Sequence, residues 1–255
     1  MTELVRDKII NLPGLNGDLP VHVFASVDEA VTHVIDQIAV TLESEVASKG
    51  HALITGAGGS TPKAVYEGLS GLNLDWSKIT ITQVDERFVP LDNASSNTLM
   101  MATALTPAIE AGLNFVTLIQ DLDDAGECAK KAEAVLRSIE TADDEAIFDL
   151  TLLGMGADAH YASIFPGHAI NAEIYNTTAL VLPVAPSGTE AEPKLPRITL
   201  TVPALNRSKR ILLLITGAEK LEVLRSAILS DDPYTSPIGA FIAQSPVPVD
   251  VVWAA

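Results

Sequence analysis

The segment Leu153-Gly154-Met155-Gly156-Ala157-Asp158-Ala159-His160-Tyr161-Ala162-Ser163-Ile164-Phe165-Pro166-Gly167 sets a carboxylate two residues from an imidazole, just after a Gly-x-Gly turn. A carboxylate beside an imidazole fixes its tautomer and raises its basicity. Histidine is the side chain best matched to general-base work near neutral pH. Asp158 and His160 are therefore the expected acid–base pair. His22 and His51 fall near strand starts, His33 within a helix and His168 past a Pro-Gly turn, so these are expected to pack or to face solvent. No second His or Cys stands at ligand spacing, and no metal site is expected.

Three further segments carry donors for an anion. In Thr55-Gly56-Ala57-Gly58-Gly59-Ser60-Thr61-Pro62, glycines allow close approach of backbone amides and the hydroxyls add donors. A helix entered at Pro62 would add its positive end. The combination suits a phosphate at Gly58, Gly59, Ser60 and Thr61. It is neither a Gly-Lys-Ser/Thr nucleotide loop nor a GxGxxG dinucleotide loop. Taken alone, it also reads as a tight turn. Asp85 and Arg87, in Val84-Asp85-Glu86-Arg87-Phe88, matter only if both point into a crevice; otherwise the triplet is a surface turn. Arg197 offers a bidentate fork and Lys220, in Gly217-Ala218-Glu219-Lys220, a mobile point charge. Both gain weight only beside the phosphate loop.

Such a cluster of cations stands out in this chain. Its 255 residues carry 16 Lys and Arg against 33 Asp and Glu, a formal net charge of -17. Nucleic acid and anionic membranes should be repelled, so neither is an expected partner. No run of eighteen uncharged apolar residues suggests a membrane span. The acids in the first seven residues do not read as a secretory signal. The single cysteine, Cys128, excludes an intrachain disulfide, and a cytoplasmic location is expected. No obligatory protein partner is evident.

The elements that must hold these residues alternate. After an extended or turn-rich lead-in over 1–20, a strand is expected at 21–24. The capping-box spacing of Ser26 and Glu29 opens a helix to about residue 48, with Val31, Val34, Ile35, Ile38 and Leu42 on one face. Strands are expected at 52–55, 78–84, 115–119, 148–153, 179–184, 211–215 and 249–253, and helices at 97–105, 124–139 and 218–229. The continuous apolar run at 148–153 suits a parallel strand covered on both faces. The pattern predicts an α/β fold: a doubly wound, mostly parallel open sheet with helices on both faces, in one domain over 1–255. Sites in such sheets form at the carboxyl ends of strands. The Pro-, Ser- and Glu-rich stretch 185–196 is expected to be a mobile loop.

In this order, the segments resemble the 6-phosphogluconolactonases. That family carries a Ser-Gly-Gly-Ser/Thr-Thr-Pro loop, an Asp-Glu-Arg turn, a Ser-Asn pair, a Gly-Glu-Asp-Gly-His-Thr-Ala-Ser-Leu-Phe-Pro segment, an Arg-x-Thr-Leu-Thr run and a Gly-x-x-Lys helix start. The counterparts here are Gly58 to Pro62, Asp85 to Arg87, Ser96-Asn97, Gly156 to Pro166, Arg197 to Thr201 and Gly217 to Lys220. The resemblance covers about residues 20–253. It implies hydrolysis of 6-phospho-D-glucono-1,5-lactone to 6-phosphogluconate, without metal or organic cofactor. It further implies His160 as base, with Asp158, Arg87 and Asp85 in the catalytic group. Ala57, Ala157, Ala159 and Tyr161 depart from the pattern. Ala159 is expected to restrict a backbone position otherwise held by Gly, and Tyr161 to add bulk beside the site. Aminosugar-phosphate deaminases share the loop but usually carry Asn-Glu-Pro where this chain has Ile164-Phe165-Pro166. That class and a non-catalytic sugar-phosphate sensor are the alternatives.

Overall fold

The computed structural model describes residues 8–139, 146–185, 188 and 192–255. In chain order these form β1 (Lys8–Gly14), β2 (Gly17–Phe24), α1 (Val27–Lys49), β3 (Ala52–Gly56), α2 (Ser60–Ser70), β4 (Ile79–Gln83), β5 (Asp85–Arg87), α3 (Asn97–Ala104), α4 (Thr106–Glu110), β6 (Asn114–Val116), α5 (Ala125–Ile139), β7 (Leu150–Leu153), α6 (Asn171–Asn176), β8 (Val181–Val184), β9 (Arg197–Leu200), α7 (Val202–Leu205), β10 (Ile211–Thr216), α8 (Ala218–Ala227), α9 (Pro237–Gln244) and β11 (Val249–Ala254).

Eight strands make the main sheet in the order β1-β2-β11-β10-β7-β3-β4-β6. All neighbours are parallel except the β1–β2 hairpin at one edge. The lead-in is thus extended, as expected, but from Lys8 it is also paired. From β3 the chain moves outward to β4 and β6, then returns to β7 on the opposite side of β3. The order therefore reverses between β3 and β7, and a crevice opens there at the carboxyl ends of the strands.

Alternation along the central strands divides the core. On β10, Ile211, Leu213 and Ile215 pack with α5, α8 and α9, while Leu212 and Leu214 pack with α1 and α2 on the other face. Helix α1 starts where the sequence says it should. Ser26 accepts from the Glu29 amide, Glu29 accepts from the Ala25 amide, and Gly50 closes the helix in the left-handed region at φ 85°. Such a cap contributes about 1 kcal/mol. Its buried face includes Val31, Val34, Ile38 and Leu42, with Ile35 at the margin.

Three expectations need correction. Helix α2 begins at Ser60 rather than Pro62. Asp85–Arg87 is a strand, not a turn, and Arg197–Leu200, where no strand was expected, is one too. With β8 they form a second, three-stranded antiparallel sheet in the order β5-β9-β8. The strand expected at 179–184 belongs there, outside the parallel sheet. The chain leaves the main sheet at Val84, whose amide donates to the Gly56 carbonyl while its carbonyl accepts from the Leu200 amide. Of the stretch expected to be a mobile loop, residues 186, 187 and 189–191 lie outside the described residues.

Candidate active site

A cavity of about 290 Å³ occupies the crevice where the strand order reverses. Gly58, Gly59, Ser60 and Thr61 line it after β3, Asp85 and Arg87 after β4, and His160 after β7. Arg197 on β9 and Lys220 on α8 complete the wall. Nine of the ten residues singled out from the sequence are thus brought together. The tenth, Asp158, stands behind His160 and faces a separate, shallower groove along α8.

The loop after β3 is shaped by close packing. Tyr66 of α2, fully buried, donates from its hydroxyl to the Ala57 carbonyl at 2.8 Å. A Cβ on Gly56 would collide with that hydroxyl, and a Cβ on Gly58 would collide with the Asn97 amide group. Gly59 precedes α2 at φ 111°, and no side chain among the described residues caps the helix. The first-turn amides of an uncapped helix, together with its dipole, form an anion-binding site.

In β5 the alternation of a strand decides the roles. Asp85 and Arg87 point to the cavity, while Glu86 points away and is fully buried. Its carboxylate accepts from Gln83 Nε2, Ser96 Oγ, Thr98 Oγ1 and the amides of Arg87, Asn97 and Thr98. Four of these donors belong to the cap and first turn of α3, whose positive end favours a carboxylate. One buried group therefore fastens β5 to α3. Asn97 in turn donates to the Asp85 carbonyl at 2.9 Å and lines the cavity. Arg87 donates to the Ser95 carbonyl at 2.6 Å, and its buried Nε has no partner among the described residues.

Arg87 and Arg197 are direct cross-strand partners. Arg197 is 2% exposed. Its Nη2 donates to the carbonyls of Glu192 and Pro193 at 3.2 Å each, and its Nη1 lies 3.6 Å from Asp85. The Nε of Arg197 is also buried, without a partner among the described residues. Burial weighs most against its charge, Asp85 supports that charge, and Arg87 opposes it. Two like charges face each other across a strand pair, each with an unsatisfied donor, an arrangement an anion would relieve. Asp85 is 5% exposed and its Oδ2 also accepts from Ser163 Oγ at 2.6 Å. Its carboxylate is thus engaged by the loop that carries His160 and by Arg197.

His160 Nδ1 lies 2.5 Å from Asp158 Oδ1. Gly156 makes room for this pair, because a Cβ there would strike both side chains. Burial alone would push the Asp158 carboxyl up, but the hydrogen bond and charge of His160 hold it below the ordinary carboxylate range. With Nδ1 engaged, Nε2 is the nitrogen left for a ligand. The imidazole packs on Phe165 at 4.9 Å between ring centres, and the Arg197 guanidinium lies 5.3 Å from the same ring. Lys220 is held below its usual lysine value, chiefly by burial, with Asp158 and Glu219 acting in the opposite direction.

Two departures from the family pattern resolve differently. Ala159 takes φ 69°, a left-handed conformation that a glycine would adopt without strain. Tyr161, expected to crowd the site, is fully buried away from the cavity and packs on Phe241. Sequence reasoning gave no role to Glu86 or Tyr66. A strand assignment at 85–87 would have separated Glu86 from its neighbours by alternation alone.

Comparison with known proteins places the chain among relatives. The family model described as glucosamine-6-phosphate isomerases/6-phosphogluconolactonase matches residues 25–253. A 6-phosphogluconolactonase of Rhizobium meliloti is 37% identical, covering 91% of this chain and 97% of its own. One from Caulobacter vibrioides is 34% identical, covering 91% and 95%. Among solved structures, a 6-phosphogluconolactonase from Shewanella baltica superimposes with a TM-score of 0.86 at 32% identity, over 95% of this chain and 100% of that one.

Proposed function

The chain belongs to the glucosamine-6-phosphate isomerase/6-phosphogluconolactonase family, and on that premise we propose that it hydrolyses 6-phospho-D-glucono-1,5-lactone to 6-phosphogluconate. The observation that carries this reading is the His160–Asp158 pair, held at 2.5 Å with the imidazole on the wall of a cation-lined cavity at the strand reversal and the carboxylate behind it.

Water attacks the ring carbonyl at C1 while His160 Nε2 takes its proton. The C1 oxygen becomes an oxyanion on a tetrahedral centre. When that centre collapses, the bond between C1 and the ring oxygen breaks, and the imidazolium returns the proton to the departing oxygen. The new carboxylic acid then ionises to the carboxylate. Asp158 keeps the proton-bearing nitrogen at Nδ1 and stabilises the imidazolium between the two transfers. Arg87 supplies positive charge to the ring or to the oxyanion. A preorganised donor at the oxyanion contributes roughly 3 kcal/mol.

The phosphate is held by the Gly58, Gly59, Ser60 and Thr61 segment with Arg197 and Lys220. Binding there, remote from the bond that breaks, positions the carbonyl against His160. Asp85 acts through Arg197 and Ser163 and is a positioning residue in this scheme, not a proton carrier. Cytoplasmic location is part of the same reading, resting on the single buried Cys128 and the nature of the substrate.

Incubation with freshly prepared 6-phosphogluconolactone tests the proposal. Acid release should exceed the spontaneous rate in proportion to protein concentration, and glucosamine 6-phosphate should be left unchanged. Turnover of the aminosugar would move the chain to the isomerase side of the family. Tight binding of 6-phosphogluconate with no turnover would make it a sensor.

A further inference from the structure

His160 lies on a strained loop. Ala159 and Ala162 on either side of it take φ 69° and 47°. Neither is glycine, and left-handed backbone costs an L-residue about 1–2 kcal/mol. Within the loop, the Gly156 amide donates to the His160 carbonyl at 2.8 Å and the Ile164 amide to the Tyr161 carbonyl at 2.9 Å. These bonds curl the segment but do not tie it to the rest of the molecule. Strained conformations persist where the surroundings over-determine them.

Ser163 ties one side of the loop, donating from Oγ to Asp85 at 2.6 Å and from its amide to Thr199 Oγ1 at 3.3 Å; Tyr161, next to His160, ties the other. Tyr161 is fully buried, its ring 4.9 Å from that of Phe241 on α9. Its hydroxyl lies 3.2 Å from that of Tyr175 on α6. The Tyr175 hydroxyl donates to the Pro237 carbonyl at the start of α9, at 2.5 Å. A phenol has one proton to give, and Tyr175 gives it to Pro237. Tyr161 is therefore the donor in the tyrosine pair, and Tyr175 accepts. Burial pushes both phenols up, so both protons are present at neutral pH.

We propose that Tyr161 and Tyr175 are positioning residues: the hydroxyl chain from Tyr161 to Tyr175 to the Pro237 carbonyl fixes the 154–164 loop in the conformation that presents His160 to the cavity. The role rests on the reading of His160 as general base. Neither tyrosine lines the cavity, so neither touches substrate. Their effect reaches the reaction through the place of the imidazole and its contact with Asp158.

Tyr175→Phe removes both hydroxyl links and keeps the ring; Tyr161→Phe removes only the first. In Tyr175→Phe, kcat should fall roughly tenfold, within the ~100-fold that a 1 Å misplacement can cost. KM and 6-phosphogluconate binding should hold, since the phosphate grip is untouched. Tyr161→Phe should show a smaller change of the same kind. A parental kcat in both variants would overturn the positioning role, as would a loss of kcat that only tracks the folded fraction measured by melting or that comes with an equal rise in KM. His160→Ala separates the two ideas. If it is inactive while both tyrosine variants are normal, only the positioning role fails. If it turns over normally, the general-base reading fails and the positioning role goes with it.

Discussion

His160 and Asp158 stand two apart in sequence, yet they meet different surroundings. The imidazole borders the cavity, and the carboxylate lies on the far side of it, where it can support charge without competing for substrate. Asp158→Asn should therefore lower kcat less than removal of the imidazole, with little change in product binding; steady-state kinetics and a binding isotherm on one preparation check this. Lys220 gives a pH prediction. Its ammonium is held below 10.5, so it loses its charge earlier on the way up than an exposed lysine does. KM should rise in the alkaline range from a point below that value, and Lys220→Met should lack this limb while starting from a higher KM. Loss of one charged hydrogen bond costs about 1.5–3 kcal/mol, which corresponds to roughly a tenfold to hundredfold rise in KM. At Ala159, substitution by glycine should relieve left-handed strain and raise the melting temperature, offset in part by the entropy of the unfolded glycine.

At the scale of elements, the junction of β5 and α3 depends on Glu86. Glu86→Gln places an amide NH₂ among groups that only donate or are already committed. It should cost about 1–3 kcal/mol of stability and lower kcat/KM by loosening Arg87 and Asn97; denaturant unfolding and kinetics read the two effects separately. A contrasting case lies on β3 and β4. Thr55 and Thr82 are register partners, and both hydroxyls are buried without a partner among the described residues. Thr82→Val keeps the shape and removes an unsatisfied polar group, so it should raise the melting temperature. Much of the frame was legible beforehand. Helix α1 announced itself by its cap and apolar stripe, and β7 by a continuous apolar run that needs cover on both faces. The small sheet was not legible, because β5 has only three residues, all charged, and β9 begins with a buried Arg whose partners come from β5 and from the turn before it. Helix α9 was missed because Pro237 to Gln244 is apolar on all sides and shows no stripe. The cavity residues could be named from their types. Their alternation, which separates Glu86 from Asp85 and Arg87, required the strand to be known.

Across the whole molecule, the sheet reversal gathers scarce cations into one place. A chain of net charge -17 presents Arg87, Arg197 and Lys220 around a single cavity, with Asp85 and the more deeply buried Glu86 as local counter-charges. No helix among the described residues is long and apolar enough to cross a membrane. The paired arginines, each with a buried Nε that has no partner among the described residues, offer an anionic ligand both charge and donors. Binding of 6-phosphogluconate should therefore stabilise the fold, by about 2.7 kcal/mol at one hundred times its dissociation constant. Thermal melts with and without ligand should show this shift in the parent and in His160→Ala, and a smaller one in Lys220→Met at the same ligand concentration.

The most direct test of the account is the rate of 6-phosphogluconolactone hydrolysis above the spontaneous background, measured for the parent and for His160→Ala on folded preparations of equal concentration. The account predicts turnover by the parent and a loss of roughly 10²–10⁴-fold in kcat for the variant, with 6-phosphogluconate still bound. A folded His160→Ala protein that opens the lactone at the parental rate would contradict it.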